Sequence, residues 1–111
     1  MRFLVVVLNK EEYLASILPI FVEMGLSEAA ILESKSVGHF LAYEVPIFAG
    51  LQQLAGEKKT ASRIILAVIG EDFSLPQFKK LLREEEIDFT QPDVGIVATF
   101  PVNEFIGAKK E

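Results

Sequence analysis

Residues 2–8, 62–69 and 94–100 read as β-strands in which both alternating faces are apolar. In the first, Phe3, Val5 and Val7 alternate with Leu4, Val6 and Leu8. The second sets Ile64, Leu66 and Val68 against Ile65, Ala67 and Ile69, and the third sets Val94, Ile96 and Ala98 against Val97 and Thr99. A sheet made of such strands has two faces to hide from water. Helices on one side of an antiparallel sheet cover only one of them. The remaining face forms a contiguous apolar patch larger than soluble monomers usually expose. Either the middle of the chain folds over that face or other copies of the chain do, and the patch size favours self-association.

Length sets the next limit, because 111 residues leave room for one domain, 1–111. Hydrophobic residues make up 50% of the chain, ample for a packed core. Cysteine is absent, which excludes disulfides and thiolate metal sites, and His39 is the sole histidine, so no His cluster for a metal exists. The apolar run at residues 2–8 is far shorter than the roughly 20 residues of a membrane span, and no basic segment or small-residue cleavage site accompanies it. A cytoplasmic protein without membrane insertion is expected. The net charge of −5 argues against a nucleic-acid partner, which demands a basic face.

Between the strands the helix signals are clear. Asn9 stands in N-cap position with Glu12 three residues on, and Leu14, Ile17, Leu18 and Phe21 recur at helical spacing. Pro19 interrupts that pattern and predicts a bend or an irregular last turn, while Gly25 is a natural left-handed C′ residue. Residues 29–34 form a shorter strand. Residues 35–60 are the least regular part, with a short helix expected at about 46–54. Ser74 and Gln77 form a capping box, Pro76 falls in the permissive first turn, and Phe73 can staple onto Phe78, so a second long helix starts at Ser74. The order strand, helix, strand, long connection, strand, helix, strand is the ferredoxin-like double βαβ (split βαβ) α+β arrangement, an antiparallel sheet with two helices on one face.

Few residues carry chemistry. His39, beside Gly38, can contact a ligand or titrate near neutral pH. Glu84, Glu85 and Glu86 are consecutive helical residues that fan around the axis and do not converge on a metal. Ser34, Ser36 and Ser62 lack a base partner beyond His39, so no catalytic residues and no enzyme are expected. Ile47, Phe48 and Leu51 offer either an apolar docking surface or packing in the core or between subunits. Glu57-Lys58-Lys59 reads as a solvated turn.

With its elements placed, the chain resembles the PII signal-protein superfamily in its divergent PII-like branch. Leu8-Asn9-Lys10-Glu11-Glu12 stands where those proteins leave the first strand for a helix opened by acidic residues. Ile31 to His39 is similar to the second strand and its Gly-x-Gly-Arg segment, Arg63 to Ile69 to the third strand, and Asp93 to Phe100 to the loop and strand after the second helix. The resemblance implies a homotrimer with inward-packed sheets, an adenine nucleotide held in clefts between subunits, and a loop at about 35–60 that engages a transporter or enzyme in nitrogen regulation. It places ligand contacts at Ser36, Gly38, His39, Asp93 and Gly95 and partner docking at Ile47, Phe48 and Leu51, with no metal. Ser36 and His39 replace the first glycine and the arginine of the Gly-x-Gly-Arg segment, and Thr90-Gln91-Pro92-Asp93-Val94-Gly95 has no basic residue. Asn103 to Gly107 holds no arginine, and Lys109 and Lys110 substitute only if the tail folds back. A triphosphate needs several cationic or N–H donors to offset desolvation, so a less charged ligand such as a nucleoside monophosphate, or no nucleotide at all, fits these residues better. Two other readings share the element order. An ACT-like small-molecule-binding module calls for glycine where Asn9-Lys10 stands, and a small dimeric ferredoxin-like enzyme calls for convergent polar residues on the apolar strands.

Overall fold

The computed structural model describes residues 1–52 and 62–108. Its four strands are β1 (Arg2–Leu8), β2 (Ala30–Ser34), β3 (Ser62–Ile69) and β4 (Gly95–Pro101). They form a single antiparallel sheet in the order β2-β3-β1-β4. The helices are α1 (Leu14–Glu23), α2 (Val37–Glu44) and α3 (Leu75–Glu84), with 3-10 turns at Glu11–Tyr13 and Pro46–Leu51. The protein is thus α+β, with four antiparallel strands and helices.

Register decides which residues meet on each face. Val6 lies opposite both Ile65 and Val97, and Leu4 opposite Ala67 and Thr99. Leu4, Val6, Leu8, Ile65, Ala67 and Ile69 are buried and join Ile17, Ile20 and Phe21 of α1 with Phe78, Leu81 and Leu82 of α3 in one core. Full burial of a side chain of this size is worth about 1.5–3 kcal/mol, so this face carries the stability of the domain. The helices meet through Phe21 and Phe78, whose rings pack edge to face at 5.8 Å.

The other face is apolar across all four strands. Val5 lies between Leu66 and Ala98, Phe3 between Val68 and Phe100, and Val7 between Ile64 and Ile96, with Ala30 and Leu32 continuing the rows on β2. The rings of Phe3 and Phe100 stack at 5.8 Å. Side chains there remain half-buried or exposed, Ile96 at 59% and Phe100 at 49%. The C-terminal segment borders this face at one end, where Phe105 and Ala108 meet Phe3, Leu66 and Val68 around a cavity of about 320 Å³.

The start of α1 departs from the expected cap. Asn9 donates its backbone N–H to the Val94 carbonyl, joining the end of β1 to the start of β4. The chain enters the helix through the 3-10 turn, whose N-cap is Lys10 with no side-chain cap bond. Asn9 thus extends the β1–β4 pairing by one residue, and the helix start falls one position later, at Lys10. Pro19 lies inside α1 on its exposed side, and the helix continues through it to Glu23. Gly25 adopts φ +76°, and Leu26 N–H returns to the Phe21 carbonyl at 2.8 Å, closing the helix as anticipated. In α3 the Ser74 hydroxyl accepts from the Gln77 N–H at 3.2 Å and Phe73 packs on Phe78, as the sequence signals.

Residues 37–44, expected to be irregular, are helical. Ser36 is the reason, because its hydroxyl accepts the His39 backbone N–H at 3.0 Å and caps α2. The helix then packs on the Pro46–Leu51 turn, tied by Gln52 Nε2 donating to the Ala42 carbonyl, while a Lys35–Glu44 ion pair at 2.6 Å spans the helix itself. These elements share more contact with each other than with the sheet body. The radius of gyration, 16.1 Å, exceeds the ~13 Å of a sphere-like domain of this length, and the shape is elongated at 49 × 34 × 19 Å. The expected helix beyond Gln52, the Glu57-Lys58-Lys59 turn and Lys109-Lys110 fall outside the described residues.

Candidate functional site

The residues assigned to ligand contact fall in two groups, both at the same end of the sheet. Ser36, Gly38 and His39 follow β2, and Asp93 and Gly95 begin β4. Leu8, Arg63 and Glu33 lie side by side across that end, with Gly95 opposite Leu8. β2 and β4 are the two sheet edges, and β3 and β1 separate them. Three inter-strand spacings put the groups roughly 14 Å apart within one chain. A ligand spanning both groups in a single chain must bridge that width.

Each group has a structural role of its own. Ser36 caps α2 and Gly38 lies within the helix, where an added Cβ meets open space. His39 is a buried helical residue, 7% exposed, and not the loop histidine the sequence suggests. Its ring packs against Tyr43 at 4.7 Å. Asp93 holds a left-handed backbone at φ +68°, and Gly95 follows with φ +143°. A Cβ at Gly95 would sit on the Val7 carbonyl, so glycine is dictated by close backbone approach between β4 and β1.

Arg63 is the charge that sequence reading passed over. It stands on the core side of β3 at this same end, with its side chain only 15% exposed. Its Nη2 pairs with Glu11 at 2.6 Å and Glu33 at 3.4 Å. Both carboxylates meet Nη2, and Nη1 is buried without a hydrogen-bond partner among the described residues; two anions already beside this one cation make it a poor holder of added phosphate. The signal in the sequence was present as an arginine in an otherwise apolar strand.

Ile47 is 84% exposed and Phe48 is exposed beside it, whereas Leu51 is half-buried. Val37 and Phe40 add further exposed apolar surface on α2. The α2 unit thus presents an apolar exterior around a small interior of His39 and Ala42.

A separate polar feature follows α3. The Asp88 carboxylate accepts from the Thr90 hydroxyl at 2.6 Å, the Thr90 N–H at 2.9 Å and Gln91 Nε2 at 3.4 Å. The Thr90 side-chain bond, followed by its backbone bond, lowers the Asp88 pKa below its ordinary 3.8. Among the described residues no group of three or more His, Cys, Asp or Glu side chains could hold a metal ion, and no helix is long and apolar enough to cross a membrane. No protein-family model and no curated protein matches the chain.

Proposed function

We propose that this chain is a PII-like regulatory module. It has a ferredoxin-like double split βαβ fold, works as a homotrimer, senses a small ligand between subunits and acts on a protein partner. The observation that carries the reading is the sheet face opposite the helices, apolar on every strand from Leu32 to Phe100. Three strands of seven or eight residues and one of five give that face a footprint of at most roughly 20 by 23 Å.

The strand order supports the fold assignment. β3 lies between β1 and β2, and β1 lies between β3 and β4, so each strand–helix–strand unit is split by a strand of the other. The two ligand-contact groups at opposite edges of one sheet end suit a cleft completed by a neighbouring subunit. Arg63, already paired with two carboxylates, favours a nucleoside monophosphate or a less charged metabolite over a triphosphate. The α2 unit, standing off the body with Ile47 and Phe48 exposed, suits an effector arm for an enzyme or transporter partner.

A thermal-shift panel of AMP, ADP, ATP, amino acids and divalent metals on the trimer tests the sensing role. A ligand at 100 times its Kd adds about 2.7 kcal/mol, an easily read shift. AMP is expected to stabilise more than ATP. A trimer that no compound stabilises would reduce the function to a scaffold.

A further inference from the structure

Among the described residues β4 is the outermost strand on its side of the sheet, hydrogen-bonded to β1 alone. Its residues, Gly-Ile-Val-Ala-Thr-Phe-Pro, include no charge. Edge strands of soluble proteins are usually guarded by charges, bulges or a covering element, because their unpaired N–H and C=O groups template another strand. Against the helix-facing side of this edge lies a groove of about 550 Å³ between α3 and residues 87–90. Leu75, Leu82, Phe89 and Val97 make it apolar, while Lys79 and Arg83 line it one helical turn apart. Neither cation has an ion-pair partner among the described residues. Asp88, in the same groove, has its carboxylate taken up by Thr90 and Gln91. Those neutral donors leave Asp88 charged, so the groove holds two cations against one carboxylate, a net positive lining on a chain whose net charge is −5.

We propose that the β4 edge and this groove receive an extended segment of a partner protein, added to the sheet as a further strand. Main-chain hydrogen bonds to β4 supply affinity, and alternate side chains supply specificity. Side chains on the Ile96 and Phe100 side of the segment are apolar. On the helix side the segment carries at least one Asp or Glu, which reaches Lys79 and Arg83. A second copy of this chain is the poorer occupant. A two-fold β4–β4 pairing brings Lys79 and Arg83 of both copies to one seam, and β4 has no carboxylate to answer them. The groove lies on the helix side of the sheet, so the proposal stands whether or not the opposite face makes a trimer.

A random peptide library selected on the immobilised full chain tests it. The expected winners alternate apolar residues and contain an acid at one or more of the intervening positions. By fluorescence anisotropy, a winning peptide loses roughly tenfold or more in affinity for the exposed double variant K79E/R83E, a change of ~1.4 kcal/mol per tenfold. Replacing its acid by lysine restores binding to that variant, and the bound wild type shows slowed amide hydrogen exchange at residues 95–101. No enrichment, winners indifferent to K79E/R83E, or protection mapping to α2 overturns the proposal. Protection of 95–101 in the free protein that grows with its concentration assigns the edge to a second copy and overturns it equally.

Discussion

Replacing Gly95 by alanine separates strand geometry from ligand contact at one position. The added Cβ meets the Val7 carbonyl oxygen and carbon and Leu8 Cα, all backbone, so no flexible side chain can yield. The chain has two responses. It can leave φ +143° for a conformation alanine accepts, or it can lift the start of β4 away from β1, where Gly95 pairs with Leu8. A strained backbone of this kind costs about 1–3 kcal/mol, and a lost ladder hydrogen bond adds about 1 kcal/mol. The expected loss is about 2–4 kcal/mol, or roughly 10–20 °C in Tm for a domain of this size. Urea denaturation followed by circular dichroism, without ligand, reads it directly. Gly38→Ala is the internal comparison, because its Cβ enters open space in α2, and it should be neutral or stabilising by up to about 1 kcal/mol. A Gly95→Ala protein within about 0.5 kcal/mol of wild type would refute the close-approach argument.

Glu86 closes α3 from the left-handed region, with φ +58° and Ile87 N–H bonded to the Leu82 carbonyl at 2.9 Å. Glu86→Gly should raise stability by about 1 kcal/mol in thermal denaturation, and a loss would contradict the assignment. Asp88 has its folded pKa held below 3.8, so the stability from its Thr90 bonds is present above that value and lost as pH falls through the lower folded value. Denaturation midpoints from about pH 5 to about pH 2 should show a smaller acid-induced loss in Asp88→Asn than in wild type, and parallel curves would remove this role. Leu66→Glu places a charge on the sheet face opposite the helices, between Val5 and Ala30. Sedimentation should show the variant folded but dissociated, since burying an unpaired carboxylate costs several kcal/mol.

The sheet was readable from composition and alternation because burial on both faces leaves a signal that hardly depends on neighbours. β3 matches its expected bounds for this reason, and Ser74, Gln77 and Phe73 marked α3 through contacts that are local in sequence. One misreading arose where a distant partner decides. Asn9 looks like a helix cap until Val94, far along the chain, takes its N–H. Val37–Glu44 has an unremarkable apolar pattern, and a single serine cap with packing on residues 46–51 makes it helical. The candidate site was legible as residue types and not as a place. Whether Gly95 is fixed by Val7 and whether Arg63 meets Glu33 depend on register between strands, and the burial of His39 depends on how α2 folds and packs. The groove beside β4 joins residues 75–83 to 87–90 and 97, a union that alternation and helical periodicity do not encode.

The molar mass in solution bears most directly on the bare sheet face. Sedimentation equilibrium of the full chain at micromolar concentration is predicted to give three times the 12.3 kDa of one subunit. A single 12.3 kDa species under those conditions would contradict the account, leaving Ile96 and Phe100 of the apolar sheet face exposed to water.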